Sequence, residues 1–392
     1  MNDDEYGTLL LRPLTGEPAG PARLDVARAM RDGGRLRHRR WWSTGTAFAA
    51  VAATAVTGGM LATATHDDKR LRLPPDPVFP AACRVEVLPL GHQKSADVTA
   101  GDPSGKYLVG TAEPTAGGNL RVMVWRDGKL IAEAATPRLA VIMADINADG
   151  VAVGSSASGN PRPYVFRNGK VKVLAGGHGE AKAINDAGTI VGVLNGTRPV
   201  RWASPEAQPE PLPLPAGVAE GAVSDIAEDG TIVGTAAASA YLWSADGTGK
   251  AIRSPELPGQ AAQGFRPAGF RNGWIYGDLQ TASDHSPALV GDQPAQYRYE
   301  PRTRTWQRLG DSLSAQLVGG SGFLQFGQAW PKVYVGRRIL SLPPYAPGTA
   351  QGDSFLVTAM SEDARLAAGY SFSGHADPDR PYYPLIWRCG QR

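Results

Sequence analysis

Short catalytic motifs are absent from this 392-residue sequence: it has no Gly-x-Ser-x-Gly elbow, no His-Glu-x-x-His pair and no phosphate-binding glycine loop. Charge of one sign is also scarce, because the formal net charge at pH 7 is only +3. A nearly balanced chain offers no strong field to nucleic acid. The sequence therefore predicts no nucleic-acid partner, no cofactor and no catalytic residue, and it favours a binding protein over an enzyme.

Long helices are equally unexpected, because 48 glycines and 32 prolines interrupt the chain while 42% hydrophobic residues still supply a core. What is present is a short repeated unit, clearest at 183–192. Asn185-Asp186-Ala187-Gly188 has the composition of a tight turn, and a β-branched strand follows it. Gly192 at the end of that strand indicates a close approach by another backbone. The unit is a β-hairpin.

Copies of this hairpin recur about every forty residues, which is typical of a propeller with four strands in each repeat. The repeats end at Gly110, Gly154, Gly192, Gly234, Gly277, Gly327 and Gly369. We therefore predict an all-β fold, a seven-bladed β-propeller over 83–392, with six or eight blades as alternatives. The predicted blades are approximately 95–137, 138–177, 178–217, 218–259, 260–313, 314–345 and 346–389.

An aromatic residue ends the third predicted strand of each repeat. These residues are Trp125, Phe166, Trp202, Trp243, Tyr299, Tyr334 and Trp387. Large rings at one recurring position are expected to wedge neighbouring sheets together. We predict that they pack in the core rather than stack on a ligand.

Together these residues resemble the bacterial extracellular HAF repeat. The pattern Ala-Ile-Asn-x-x-Gly-x-Ile-Val-Gly, followed by an Arg-Pro-x-x-Trp type of strand, is clear at 181–202 and good at 143–166 and 223–243, whereas the first repeat and the last three are degenerate. The resemblance implies a secreted or surface propeller. It implies no catalytic residues.

The segment 41–65 contains no charged residue, and as a helix of about 37 Å it is long enough to cross a membrane. A basic cluster precedes it, so the positive-inside rule predicts a cytoplasmic segment 1–40, a transmembrane helix 41–65 and an extracellular C-terminal domain. Three alternatives are a signal peptide cleaved near Ala62-Thr63-Ala64, a twin-arginine signal at Arg39-Arg40, and a buried helix.

Around the span, residues 21–32 have a weak helical pattern, and 21–40 are a possible contact for a cytoplasmic partner. The proline-rich segment 66–82 is expected to be an extended spacer between the membrane and the propeller.

Closure of the propeller is predicted from both ends of the repeats. The last repeat has no residues left for a fourth strand, whereas 83–91 is a spare strand before the first blade. The spare strand should therefore complete the last blade beside 384–387. The only two cysteines, Cys83 and Cys389, lie on these segments, and we predict that they form a disulfide outside the cell.

A binding face is predicted where the longest second-to-third-strand loops, 278–295 and 371–382, emerge with the loops that join blades. The candidate residues are Asp284, His285, Asp292, His375, Asp377, Asp379, Arg380, Tyr382, Tyr383, His92 and His178. The expected ligand is an envelope protein, a glycan or a small molecule.

A calcium site and an enzyme active site are the two other functions that the sequence could indicate. Residues 145–150 contain half of a calcium-loop pattern, but position 156 is Ser instead of the bidentate Glu, so we favour an ordinary turn and predict no metal. The alternative to a binding module is a hydrolase or lyase whose site lies at the mouth of the propeller channel.

Overall fold

The computed structural model describes residues 72–113, 119–136, 140–157, 159–237, 239–256, 262–281, 295–311, 331–345, 353–373 and 382–390. These residues form strands and turns, and no helix occurs among them. The fold is an all-β propeller.

Five blades follow in chain order, each a sheet of four consecutive antiparallel strands. Blade 1 is β2 (Ala96–Gly101), β3 (Tyr107–Ala112), β4 (Arg121–Arg126) and β5 (Lys129–Ala135). Blade 2 is β6 (Val141–Ile146), β7 (Ala152–Ser156), β8 (Pro163–Arg167) and β9 (Lys170–Val173). Blade 3 is β10 (Gly179–Ile184), β11 (Ile190–Leu194), β12 (Arg198–Trp202) and β13 (Pro209–Pro211).

Blade 4 is β14 (Gly221–Ile226), β15 (Ile232–Ala236), β16 (Ser239–Trp243) and β17 (Gly249–Ala251). Blade 5 is β18 (Ala262–Arg271), β19 (Trp274–Thr281), β20 (Ala295–Glu300) and β21 (Thr305–Asp311). A hairpin follows, β22 (Lys332–Val335) and β23 (Arg338–Ser341). The closing blade joins β24 (Asp353–Met360), β25 (Leu366–Ser373) and β26 (Tyr383–Gly390) to β1 (Ala82–Val87).

Neighbouring blades meet through their first strands, which places these strands innermost: β2 contacts β6 and β24, and β10 and β14 continue the series to β18. The fourth strand of each blade is outermost. Consequently the tight hairpins lie on one face of the propeller, and the second-to-third-strand and blade-joining loops lie on the other.

The repeated glycine sits opposite a β-bulge in all six four-stranded blades. In blade 3, Gly192 pairs with Ala181, and the register then shifts between Ala181 and Ala183. A Cβ on Gly192 would overlap the carbonyl oxygen of Glu180, and the corresponding glycines face a first-strand carbonyl in the same way. The predicted close approach is therefore confirmed, and it explains why the repeat needs glycine there. Gly327 lies outside the described residues.

All seven predicted third-strand aromatics are buried. Four of them are tryptophans whose indole Nε1 donates to a carbonyl just beyond the last strand of the preceding blade or hairpin: Trp125 to Pro89, Trp202 to Ala175, Trp243 to Pro213 and Trp387 to Pro343. The acceptor is always the second residue after that strand. Each tryptophan therefore packs in the core and also links its blade to the preceding blade or hairpin by a hydrogen bond.

The predicted closure is confirmed. β1 pairs with β26 as the outermost strand of the closing blade, with Val85 opposite Trp387. Cys83 and Cys389 face each other in this register and form a disulfide, with their Cα atoms 4.0 Å apart. The bond joins the start and the end of the propeller.

The number of blades differs from the prediction of seven, because the described residues form six four-stranded sheets. The inner turn of blade 5 touches that of the closing blade directly: Asn272 Nδ2 donates to the Glu362 carbonyl (3.0 Å). The hairpin β22–β23 lies within the range 314–345 that was predicted as a blade, and residues 314–330 of that range lie outside the described residues. Periodicity predicted a seventh blade because Tyr334 and Gly327 continue the repeat, whereas the described residues of this range form a two-stranded sheet.

Residues 1–71 lie outside the described residues, and they include the predicted cytoplasmic segment and the predicted span 41–65. Within the described ranges, no helix has the length and apolarity needed to cross a membrane.

Candidate functional site

A cavity of about 470 Å³ opens between the outer parts of blades 4 and 5. Its apolar floor comes from Leu242 and Ile252 of blade 4, and Tyr299 and Trp306 of blade 5 form the opposite wall. The remaining lining residues are Lys250, Ala251, Arg253, Ser254, Pro255 and Arg304. The cavity therefore combines two aromatic rings with three cationic side chains.

The aromatic wall is held rigidly by the core of blade 5. Trp306 packs edge-on against Phe265, with ring centroids 4.8 Å apart, and lies 4.6 Å from the Tyr299 ring at a tilt of 35°. Burial raises the pKa of the Tyr299 hydroxyl, and the neighbouring Glu300 carboxylate adds to the effect while Arg304 opposes it. Tyr299 therefore stays neutral at physiological pH, as a packing and hydrogen-bonding group.

The turn that presents Arg304 is built around Glu300, whose side chain is fully buried. Glu300 accepts hydrogen bonds from the backbone N and Oγ1 of Thr303, both 2.6 Å, and from Arg302 Nε at 2.9 Å. Burial opposes ionisation of Glu300, but these bonds outweigh it and hold its pKa below the ordinary value. Arg304 follows in the left-handed region, with φ of 56°, and its side chain is exposed at the cavity.

The three cations of the cavity are exposed, and within the described part of the chain none of Lys250, Arg253 and Arg304 has an ion pair. No Asp or Glu occurs among the residues that line the cavity. Unpaired cations around a partly apolar floor favour an anionic ligand with a ring face.

A larger cavity, about 710 Å³, lies on the hairpin face between blade 1 and the closing blade. It also contains arginines, but these are paired with carboxylates: Arg365 with Asp363 and Arg388 with Glu86, each at 3.6 Å. Because these arginines are paired with carboxylates within the protein, this cavity is a weaker anion site than the one beside Trp306.

Most of the predicted binding-face residues lie outside the described residues, namely Asp284, His285, Asp292, His375, Asp377, Asp379 and Arg380. Of the others, Tyr382 is tied to the loop that carries His92: its backbone N donates to Ser95 Oγ at 2.8 Å, and its carbonyl accepts from Ala96 N at 3.1 Å. The structure therefore brings His92 and Tyr382 to the same loop cluster.

The remaining two predicted residues, Tyr383 and His178, make other contacts. Tyr383 begins β26, and its ring lies 6.0 Å from that of Tyr345. His178 is exposed at the junction of blades 2 and 3, where its Nε2 is 3.3 Å from Asn160 Nδ2. The described histidines are thus spread around the propeller.

Sequence reasoning missed the cavity beside Trp306 and assigned Tyr299 to packing alone. One signal was available: Trp306 lies in a fourth strand, and no other outermost strand of the described sheets contains tryptophan. A large ring that breaks the repeat at the edge of a blade is not needed for the common packing scheme. It therefore indicates a local role.

No group of three or more His, Cys, Asp or Glu that could hold a metal was found in the described part of the chain. The ordinary turn predicted at 145–150 is present: Asn147 Oδ1 accepts from Val151 N at 2.9 Å and from Asp149 N at 3.1 Å. Its side-chain oxygen is thus used within the turn.

One partly buried carboxyl in blade 5 has a perturbed pKa. Burial raises the pKa of Asp278 to about 6, although a hydrogen bond with Gln296 and the charge of Arg266 both act to lower it. A carboxyl that titrates near neutrality is a feature of some catalytic sites and of some structural ones.

The sequence matches no protein-family model, and no curated protein is similar enough to match it. Solved structures share the fold. An oligogalacturonate lyase from Vibrio parahaemolyticus is 9% identical over 80% of this chain and 98% of its own, with a TM-score of 0.48. A TolB-like protein from Agrobacterium tumefaciens is 15% identical over 68% and 99%, with a TM-score of 0.41. These similarities concern the propeller fold alone.

Proposed function

We propose that this protein is an extracellular binding module, tethered to the cell membrane through residues 41–65, and that the cavity beside Trp306 binds an anionic saccharide. The observation that carries the ligand class is the cavity's combination of unpaired cations with the Tyr299 and Trp306 rings. A sugar ring presents an apolar face to an aromatic ring, and its carboxylate pairs with arginine or lysine.

The placement outside the cell is supported by the Cys83–Cys389 disulfide, because such bonds persist in oxidising compartments. The resemblance of 181–202 to the HAF repeat, which implies a secreted or surface propeller, supports the same placement.

Arg304→Gln should weaken binding of a short glucuronic acid oligomer at least tenfold, because it removes an exposed cation that has no other partner. Titration calorimetry on the full chain in detergent measures this. A neutral glucose oligomer should bind more weakly than the acidic one, and added salt should reduce only the binding of the acidic oligomer.

Arg388→Gln is the matched control, since it removes an arginine from the other cavity and should leave the affinity unchanged. If Arg304→Gln and Arg388→Gln bind the acidic oligomer as wild type does, or if the neutral oligomer binds equally well, the proposed site is wrong.

Membrane topology is tested separately. Protease added to intact cells should remove the propeller and leave a small membrane-bound fragment that contains residues 1–40. Release of a soluble propeller that begins near Thr65 would instead favour cleavage of a signal peptide, and complete resistance to protease would place the propeller inside the cell.

The enzyme alternative rests on Asp278, whose raised pKa of about 6 suits a group that exchanges protons near neutral pH. Its described electrostatic neighbours are Gln296 and Arg266, which do not complete a recognised acid and base pair. We therefore place binding first.

A further inference from the structure

The segment that leads into the propeller lies against it. Three of its residues make the contacts: Pro74, Asp76 and Phe79. We call residues 74–79 the strap. Since it was expected to be a spacer, each of these contacts needs a physical reason.

Arg298 is the deepest contact of the strap. Its side chain is 3% exposed, and its Nη1 donates to Asp76 Oδ1 at 2.5 Å. Gln307 Oε1 accepts from Arg298 Nε at 2.8 Å and from Nη2 at 2.6 Å, and the guanidinium lies 4.1 Å from the Trp274 ring centroid. The guanidinium is thus fixed by neutral groups, and Asp76 supplies the anion that a buried cation requires.

Two glycines make room for the strap. Gly273, in the turn between β18 and β19, would place a Cβ 2.8 Å from Pro74 Cγ. Gly336, in the turn between β22 and β23, would place a Cβ in overlap with the Asp76 carboxylate. Side chains at either turn would therefore push the strap away.

The strap ends on a third contact. The guanidinium of Arg338 lies 3.8 Å from the Phe79 ring centroid, and Phe79 also packs against the core beneath β22–β23. Within six residues, Pro74, Asp76 and Phe79 thus make three separate contacts with the propeller surface. An extended proline-containing peptide is already ordered before it binds, which lowers the entropic cost of such recognition.

We propose that the groove formed by Gly273, Arg298, Gly336 and Arg338 is a recognition site for an extended, acidic, proline-containing peptide, and that the strap fills it in cis. A peptide of the same chemistry from a partner must displace the strap. Because the strap is covalently attached, it competes at an effective concentration in the millimolar range, and the site in the wild-type protein is largely closed.

The test compares the full-length wild-type chain with Asp76→Asn, using a fluorescently labelled peptide of residues 73–79. The variant keeps the shape of the strap but loses its charge, so it should bind the free peptide at least tenfold more tightly than wild type does. Asp76→Asn combined with Arg298→Gln should lose that binding. A peptide with Asn in place of Asp should bind neither protein.

Cleavage of the strap provides a second measurement, which needs no variant. The unlabelled peptide at high concentration should accelerate protease cleavage within residues 72–80 of wild type, because it releases the strap, whereas the Asn peptide should not. Equal binding of the peptide by wild type and a folded Asp76→Asn, equal binding of the two peptides, or unchanged cleavage would each overturn the proposal.

Discussion

Replacing Cys83 and Cys389 together with serine should lower the free energy of unfolding by about 4–5 kcal/mol. The two cysteines are 306 residues apart in sequence, so their bond removes a large amount of chain entropy from the unfolded state. It also holds β1 on β26, the strand pairing that completes the closing blade. Urea unfolding followed by circular dichroism measures the loss.

Reduced wild-type protein is the control for this prediction, because it lacks the bond but keeps both sulfur atoms. It should unfold at the same urea concentration as the double serine variant. Unchanged midpoints in both samples would mean that the pairing of β1 with β26 holds the propeller closed without the disulfide.

Closure could be predicted from sequence because it depends on counting strands. The last repeat lacks a fourth strand, a spare strand precedes the first repeat, and the two cysteines lie on these segments. The glycine opposite each bulge was predictable for a similar reason: Gly192 and its equivalents recur at one position, and a recurring glycine marks a backbone constraint.

The cavity and the strap were not predictable, since both depend on residues that stand outside the repeat. Trp306 departs from its equivalents in other blades, and Asp76 meets Arg298 across 222 residues. Periodicity describes what the blades share. It does not predict the contacts that distinguish one blade from another. For the same reason it predicted a full blade where the described residues form the hairpin β22–β23.

The tryptophan contacts between neighbouring blades have two physical parts, a buried ring and an indole hydrogen bond. Blade 2 shows which part is general, because Phe166 occupies the same position and is buried without an indole donor. The ring is therefore common to the position, and the hydrogen bond is an addition made by tryptophan.

Trp202→Ala should consequently lower the free energy of unfolding by about 3–5 kcal/mol, whereas Trp202→Phe should cost only about 1–2 kcal/mol. Alanine leaves a cavity where a fully buried ring packs against blade 2 residues such as Val153 and Val165. Phenylalanine keeps most of the ring but leaves the Ala175 carbonyl without the indole donor that now lies 2.9 Å away.

Urea unfolding of the two variants measures the difference, with Val173→Ala as a control at an exposed position of blade 2 that should change stability by less than about 0.5 kcal/mol. Equal losses in the alanine and phenylalanine variants would assign the stabilisation to the hydrogen bond. A larger loss in the alanine variant assigns it to the ring, which the burial of all seven aromatics at this position favours.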